Sequence, residues 1–126
     1  MVPAEQAGRR VLVVDDNQAV TAALLRLLRS EGFDPLIFNA GQPALDYIRE
    51  HRPEAALIDI HLPDLSGLEV SRQLRVTHGK DLPIIIFSGD TSIETLRALD
   101  HVGATFFLSK PVNAGRLLEC LQKWTT

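Results

Sequence analysis

Asp15 and Asp16 stand side by side directly after four apolar residues, Val11 to Val14. Asp59 sits in the otherwise apolar run Ala55 to Ile60, Ser88 closes the run from Ile84, and Lys110 follows Thr105 to Ser109. Each polar group falls at or just after the end of an apolar segment. Three carboxylates gathered in a partly desolvated cleft raise one another's proton affinity, and stay ionised together only with a cation among them. An all-oxygen donor set suits magnesium, a hard ion that keeps several waters, better than zinc, which favours His and Cys. A carboxylate beside such an ion, with a lysine and a hydroxyl at hand, is arranged for phosphoryl transfer, where cations balance charge on the equatorial oxygens while a positioned oxygen accepts the group. Asp59, alone in its segment, is the natural nucleophile. Ser88 and Lys110 are then left to bind oxygens of the acyl phosphate.

The elements that must position these groups alternate regularly. Short continuous apolar runs, each followed by a segment of helical periodicity, are the pattern of a parallel sheet covered on both faces. Strands are expected at Val11–Val14, Leu36–Phe38, Ala55–Ile60, Ile84–Ser88 (opened by Pro83) and Thr105–Ser109. Helices are expected around Val20, Leu24, Leu27 and Leu28, stopped by Gly32; around Ala44, Leu45 and Ile48, ended by Pro53; around Leu68, Val70 and Leu74; from about Ser92 to His101; and from Val112 to Trp124, with Leu117, Leu118 and Leu121 facing inward. Five strands alternating with five helices through right-handed crossovers give an α/β, doubly wound sheet. In such sheets the ligand site lies beyond the carboxyl ends of the strands, where the strand order reverses.

Composition narrows the function. The chain has 126 residues, 45% of them hydrophobic, enough for one compact domain. A formal net charge of -3 with both signs dispersed gives no footprint for direct nucleic-acid binding. No apolar run approaches a membrane span, so membrane insertion is not expected, and the polar start lacks a signal-peptide core. The lone Cys120 cannot form an internal disulfide and is read as a helix-packing residue; with the rest this favours a cytoplasmic setting. His51, His61, His78 and His101 show no metal-ligand spacing and are read as surface residues. Phe106 and Phe107 point to opposite faces of their strand, one of them into plain core, and Trp124 is expected to cap the last helix by packing.

The ordered set Asp15–Asp16, Asp59 with Leu62–Pro63 and Gly67, Ser88–Gly89 and Lys110–Pro111 resembles the receiver domain of two-component response regulators, over Val11 to Trp124. The resemblance implies a five-stranded, flavodoxin-like parallel sheet in order 2-1-3-4-5 flanked by five helices, with residues 1–9 as a polar lead and residues 10–126 as the receiver domain. It implies that Asp59 accepts phosphate from a histidine kinase or histidine phosphotransfer protein. Mg2+ would be bound by Asp16 and Asp59 directly, by the backbone carbonyl of His61, and by Asp15 mainly through water. Lys110 would pair with the phosphoryl group, Ser88 would shift inward to bond it, and Phe107 matches the aromatic residue that turns with that shift. Where the family commonly has Thr and Tyr, this chain has Ser88, which keeps a hydroxyl donor, and Phe107, which lacks a phenolic oxygen. His61 and Asp90 occupy positions that influence acyl-phosphate hydrolysis in the family. The implied protein is a regulator that catalyses only its own phosphorylation and dephosphorylation. Its fourth helix, fifth strand and fifth helix would form the face that changes, serving a downstream protein target or a homodimer.

Other readings fit less well. An acid pair at a helix N-terminus is favourable in itself but leaves Asp59, Ser88 and Lys110 unexplained. An aspartyl phosphohydrolase of the haloacid-dehalogenase type needs a second Asp two residues after the nucleophile, where this chain has His61. A flavin-type binder needs a phosphate-cradling loop where Asp15–Asp16–Asn17 would repel phosphate. A receiver-like interaction module that does not use phosphorylation is the remaining alternative, disfavoured by the complete residue set. With the last helix ending the sequence, no output domain is expected and action through partners is; the segments Phe87–Ser92 and Lys110–Val112 resemble terminal receivers of hybrid sensor kinases.

Overall fold

A computed structural model describes residues 9–89 and 92–125. Asp90, and all but the last residue of the expected polar lead at 1–9, lie outside them. Five strands, β1 (Arg10–Val14), β2 (Asp34–Phe38), β3 (Ala55–Asp59), β4 (Ile84–Ser88) and β5 (Phe106–Ser109), alternate with five helices, α1 (Gln18–Ser30), α2 (Gly41–Ile48), α3 (Gly67–His78), α4 (Ile93–Val102) and α5 (Ala114–Thr125). The strands form one parallel sheet in the order β2-β1-β3-β4-β5, as the sequence resemblance implies.

Each central strand is apolar on both faces because each face is covered. Leu12, Val14, Ala56, Ile58, Ile84 and Ile86 meet Ala44, Leu45 and Ile48 of α2, Val70 and Leu74 of α3 and Leu99 of α4. The alternate residues Val11, Val13, Ala55, Leu57, Ile85 and Phe87 meet Leu24 and Leu28 of α1 and Leu117 and Leu121 of α5. The two-residue alternation of strand side chains thus divides one sheet between two cores. Each large apolar side chain fully buried this way contributes roughly 1.5–3 kcal/mol.

Several boundaries differ from the sequence expectation, most by one residue, and three of the larger differences have a local reason. β2 starts at Asp34, before the apolar residues, because Arg10 of β1 grips the Asp34 carboxylate at 2.8 Å; Pro35 is accommodated because β2 is an edge strand. α2 ends at Ile48, well before Pro53, with the Glu50 and His51 amides both turning back onto the Tyr47 carbonyl. α5 begins at Ala114 instead of Val112, since the Asn113 carboxamide oxygen accepts from the Arg116 amide and fixes the first turn. Other expectations hold, as for Trp124 and Cys120, or change in degree, as for Phe106, Phe107 and His78. Phe106 and Phe107 are both half-buried, one in each core, so neither is plain core. Trp124 packs edge-on against Phe106 at 6.5 Å. Cys120 is half-buried against the α1–α5 core, and burial pushes its thiol up from the ordinary value. His78 is half-buried instead of exposed, its Nε2 2.7 Å from the Ile48 carbonyl oxygen.

At the amino-terminal edge of the sheet, Arg75 of α3 joins elements distant in sequence. Its guanidinium donates to the carbonyls of Gly103 (2.9 Å), Gly79 (2.9 Å) and Leu82 (2.6 Å) and to the Thr105 hydroxyl (3.2 Å). The same hydroxyl accepts from the Ile84 amide at 3.0 Å. The arginine therefore ties the end of α4 to the entrances of β4 and β5. Arg75→Met is expected to cost roughly 1–3 kcal/mol, in line with loss of charge-assisted hydrogen bonds; urea denaturation of the two proteins checks the loss.

Candidate functional site

The strand order reverses between β1 and β3, where Val14 pairs with Ile58. Chain leaving the carboxyl ends of these strands diverges to opposite sides, which opens a cleft between them. Asp15 follows β1 by one residue and Asp59 is the last residue of β3, so both carboxylates enter the cleft without any long loop to place them.

Both are almost completely withdrawn from solvent, Asp15 at 0% and Asp59 at 4% exposure. Their oxygens are divided in the same way. One oxygen of each accepts a backbone amide two residues on, Asn17 onto Asp15 at 3.0 Å and His61 onto Asp59 at 3.2 Å. The other oxygen of each lies 3.1 Å from the Lys110 Nζ. Lys110 comes from beyond β5, on the far side of β4, and its ammonium lies 5.2 Å from the centre of the Phe87 ring. Burial works against the Lys110 charge, but the hydrogen bonds with Asp59 and Asp15 outweigh it, and the ammonium is held above its ordinary value. For Asp15, burial dominates over the Asn17 and Lys110 hydrogen bonds and pushes the carboxyl up.

Asp16 is exposed. One oxygen from each of Asp15, Asp16 and Asp59 falls within 4.8 Å of the others. The chemistry of the set, three carboxylate oxygens with no thiol or imidazole among them, fits a hard divalent cation. The acid pair and Asp59 thus meet at one place, and Lys110 meets two of them directly. Ser88 is fully buried at the end of β4, in register with Ser109, and its carbonyl accepts from the Lys110 amide at 2.9 Å. Phe107 lies on β5, in register with Ile86. His61 is the second residue beyond Asp59 and its side chain is exposed.

Two contributors to this geometry were not assigned a role from sequence. Asn17 is the N-cap of α1: its side chain accepts from the Ala19 and Val20 amides while its own amide holds Asp15. An Asn just before a helical period is the signal that could have identified it. Gly67, quoted only as part of a motif, begins α3 against the backbone of Asp59, where a Cβ would collide with the Asp59 carbonyl. Its amide donates to the Ile60 carbonyl at 2.7 Å. Only a residue without a side chain lets α3 close on the end of β3.

The pattern of the response regulator receiver domain matches residues 11–122. The chain belongs to that family. Receiver domains are phospho-accepting regulators that work with histidine kinases and phosphotransfer partners, and the acidic cluster is typical of their phosphorylation site. This receiver is 44% identical over 110 residues to the response regulator MprA of Mycolicibacterium vanbaalenii, covering 86% of this chain and 47% of that protein. It is 37% identical over 115 residues to the sensory/regulatory protein RpfC of Xanthomonas campestris, covering 89% of this chain and 16% of that protein. The chain thus spans less than half the length of either relative. Among solved structures, the receiver domain of the sensor histidine kinase PA1611 of Pseudomonas aeruginosa superposes with a TM-score of 0.85 at 28% identity, covering 94% of this chain and 98% of that one; it has a magnesium ion coordinated in its active-site cleft.

Two outcomes follow from the packing and charge of this cleft. Gly67→Ala is expected to lose about 1–3 kcal/mol through overpacking, read from denaturation, with NMR shifts concentrated at Asp59 and Ile60. The second concerns Asp15, whose carboxyl is raised in the folded state, so the folded protein binds more protons than the unfolded one between the ordinary and raised values. Stability in chelator should rise as pH falls through that window. Asp15→Asn, which leaves Asp59 as the partner of Lys110, should therefore stabilise the protein at neutral pH, and the gain should vanish as pH falls to the ordinary carboxylate range. Thermal melting across pH in the presence of chelator tests the sign.

Proposed function

We propose that this receiver domain is a phospho-accepting switch in a two-component phosphorelay, with Asp59 as the acceptor, and that the functional unit extends over residues 10–126. The observation that carries the reading is the Lys110 ammonium 3.1 Å from both Asp15 and Asp59, which supplies fixed positive charge where a phosphoryl group on Asp59 would carry its negative oxygens. An Asp59 carboxylate oxygen forms the new P–O bond as the P–N bond of a phosphohistidine donor breaks; the imidazole leaves with the bonding electrons and is protonated on the donor. The His61 amide, already bonded to Asp59, fixes the carboxylate for in-line attack. Lys110 exchanges its carboxylate contacts for the transferred oxygens. Ser88 supplies a hydroxyl to the phosphoryl group, and Phe107 follows that movement on the adjacent strand.

Asp15, Asp16, Asp59 and the backbone carbonyl of His61 are the residues that would hold Mg2+. Once bound, the ion supplies charge stabilisation to the phosphoryl oxygens. The magnesium in the cleft of the PA1611 receiver supports this assignment by likeness. The domain acts on itself alone, accepting and losing a phosphoryl group, and not as an enzyme of metabolism. Its donor is a histidine kinase or histidine phosphotransfer protein in the cytoplasm. The output is a population shift in the surface of α4, β5 and α5 that changes binding to a downstream protein or to a second copy. Among the described residues no helix is long and apolar enough to cross a membrane.

Intact mass after incubation with magnesium and acetyl phosphate tests the reading. One phosphoryl adduct is expected for the wild type, none for Asp59→Asn, and none with chelator. An adduct that persists in Asp59→Asn would sink the assignment of the acceptor. Beryllofluoride with magnesium should perturb the spectra of the wild type, and absence of both adduct and perturbation would leave a phosphate-independent interaction module in its place.

A further inference from the structure

The β3–α3 loop carries His61, and an exposed carboxylate, Asp64, hydrogen-bonds that loop to another element. The Asp64 carboxylate accepts from the amides of Gly41 at 2.7 Å and Gln42 at 2.8 Å, and from the Leu65 amide at 2.9 Å. Gly41 and Gln42 are the first residues of α2, whose own N-cap, Ala40, offers no side-chain acceptor. The first amides of a helix have no partner within it, and a carboxylate there is favoured by the helix dipole. Here the cap is delivered from 22 and 23 residues away. Those amides hold the Asp64 carboxyl below its ordinary value, Gln42 first and Gly41 second.

The remaining contacts make the loop a closed unit seated on α2. His61 and Ser66 pair as an antiparallel bridge, and the Gly67 amide bonds the Ile60 carbonyl. A Cβ on Gly41 would lie 3.1 Å from the Leu65 Cβ and 3.1 Å from Val70 Cγ2, so α2 begins in near contact with the loop. The His61 amide is bonded to Asp59. A shift of the loop relative to α2 therefore reaches the peptide groups that flank the acceptor.

We propose that Asp64 is a positioning residue for the cation site: by capping α2 from the β3–α3 loop it fixes the backbone at His61 against the Asp15, Asp16 and Asp59 carboxylates. It touches neither the ion nor the reacting atoms. The inference rests on the magnesium assignment of the proposed function. Residues that orient metal ligands without touching the metal typically carry a 10–100-fold share of affinity, and for an exposed cap the lower end, roughly tenfold, is the expected loss.

The test is titration of the full chain with Mn2+, counting free ion by electron paramagnetic resonance, and with Mg2+ by calorimetry, for wild type, Asp64→Ala and Asp64→Asn. All are held well below their melting temperatures. Asp64→Ala is expected to weaken both metals about tenfold, and Asp64→Asn, which keeps one acceptor oxygen, to recover part of the loss. A role confined to stability would lower the melting temperature of Asp64→Ala and leave the metal affinities of all three proteins equal; that result overturns the inference while the proposed function stands. If the wild type binds neither metal, both fall together.

Discussion

Two carboxylates taken out of water, Asp15 and Asp59, share one ammonium, Lys110, at 3.1 Å each. Two negative charges and one positive charge in a buried site are not neutral, and the deficit falls on Asp15, whose carboxyl is raised by its burial. Buried charges of this kind rarely add net stability, since desolvation offsets much of the Coulomb attraction. Their burial at the carboxyl ends of the two central strands, at a cost in stability, points to use. The unbalanced charge would favour a further cation in the cleft, and the proximity of Lys110 would favour an anion beside it. A site with both properties is suited to a phosphoryl group and a divalent ion together.

The fold follows from the need to bring these groups in from different parts of the chain. β1 and β3 are neighbours, so Asp15 and Asp59 require only short exits from adjacent strands. Lys110 lies beyond β5, with β4 between it and β3. At about 4.8 Å per strand this is roughly 10 Å, a gap that a short side chain could not bridge. A lysine crossing the end of β4 beside the Phe87 ring reaches it. Its backbone amide is fixed by the Ser88 carbonyl on the way, so the hydroxyl residue and the cation are connected before any ligand arrives.

Legibility in the sequence followed the range of the forces involved. Continuous apolar runs such as Ile84–Phe87 announce strands covered on both sides, and their count and spacing gave the sheet. The strand-end residues Asp15, Asp16, Asp59, Ser88 and Lys110 were legible as an ordered set, since a turn or a helix start explains most of them singly but not all of them in register. What could not be read was set by individual contacts, most of them made by side chains. The start of β2 depends on Arg10 reaching Asp34, and the start of α5 on one carboxamide. Asp64 looks like an ordinary turn residue until the Gly41 and Gln42 amides are seen to face it. Gly67 reads as a helix start, and only the approach of the Asp59 carbonyl shows why a side chain is excluded.

Packing is uneven in a way that suits a switch. α2 and α3 bury four residues each, whereas α4 buries one, Leu99, and leaves Ile93 and Leu96 exposed at 65% and 43%. α4 is held at its far end, where Gly103 takes the left-handed conformation that closes the helix and its carbonyl accepts from Arg75. Elements with little buried apolar surface are those that move at low cost. Ser88 is the last residue of β4, the strand before α4, and Arg75 pins the carboxyl end of that helix. If Ser88 moves toward a phosphoryl group, as the proposed function requires, the helix that follows would meet little resistance along its length and a fixed pivot at Arg75. The shift would then be delivered as a tilt of an apolar surface without disturbing the two cores that hold the carboxylates in place.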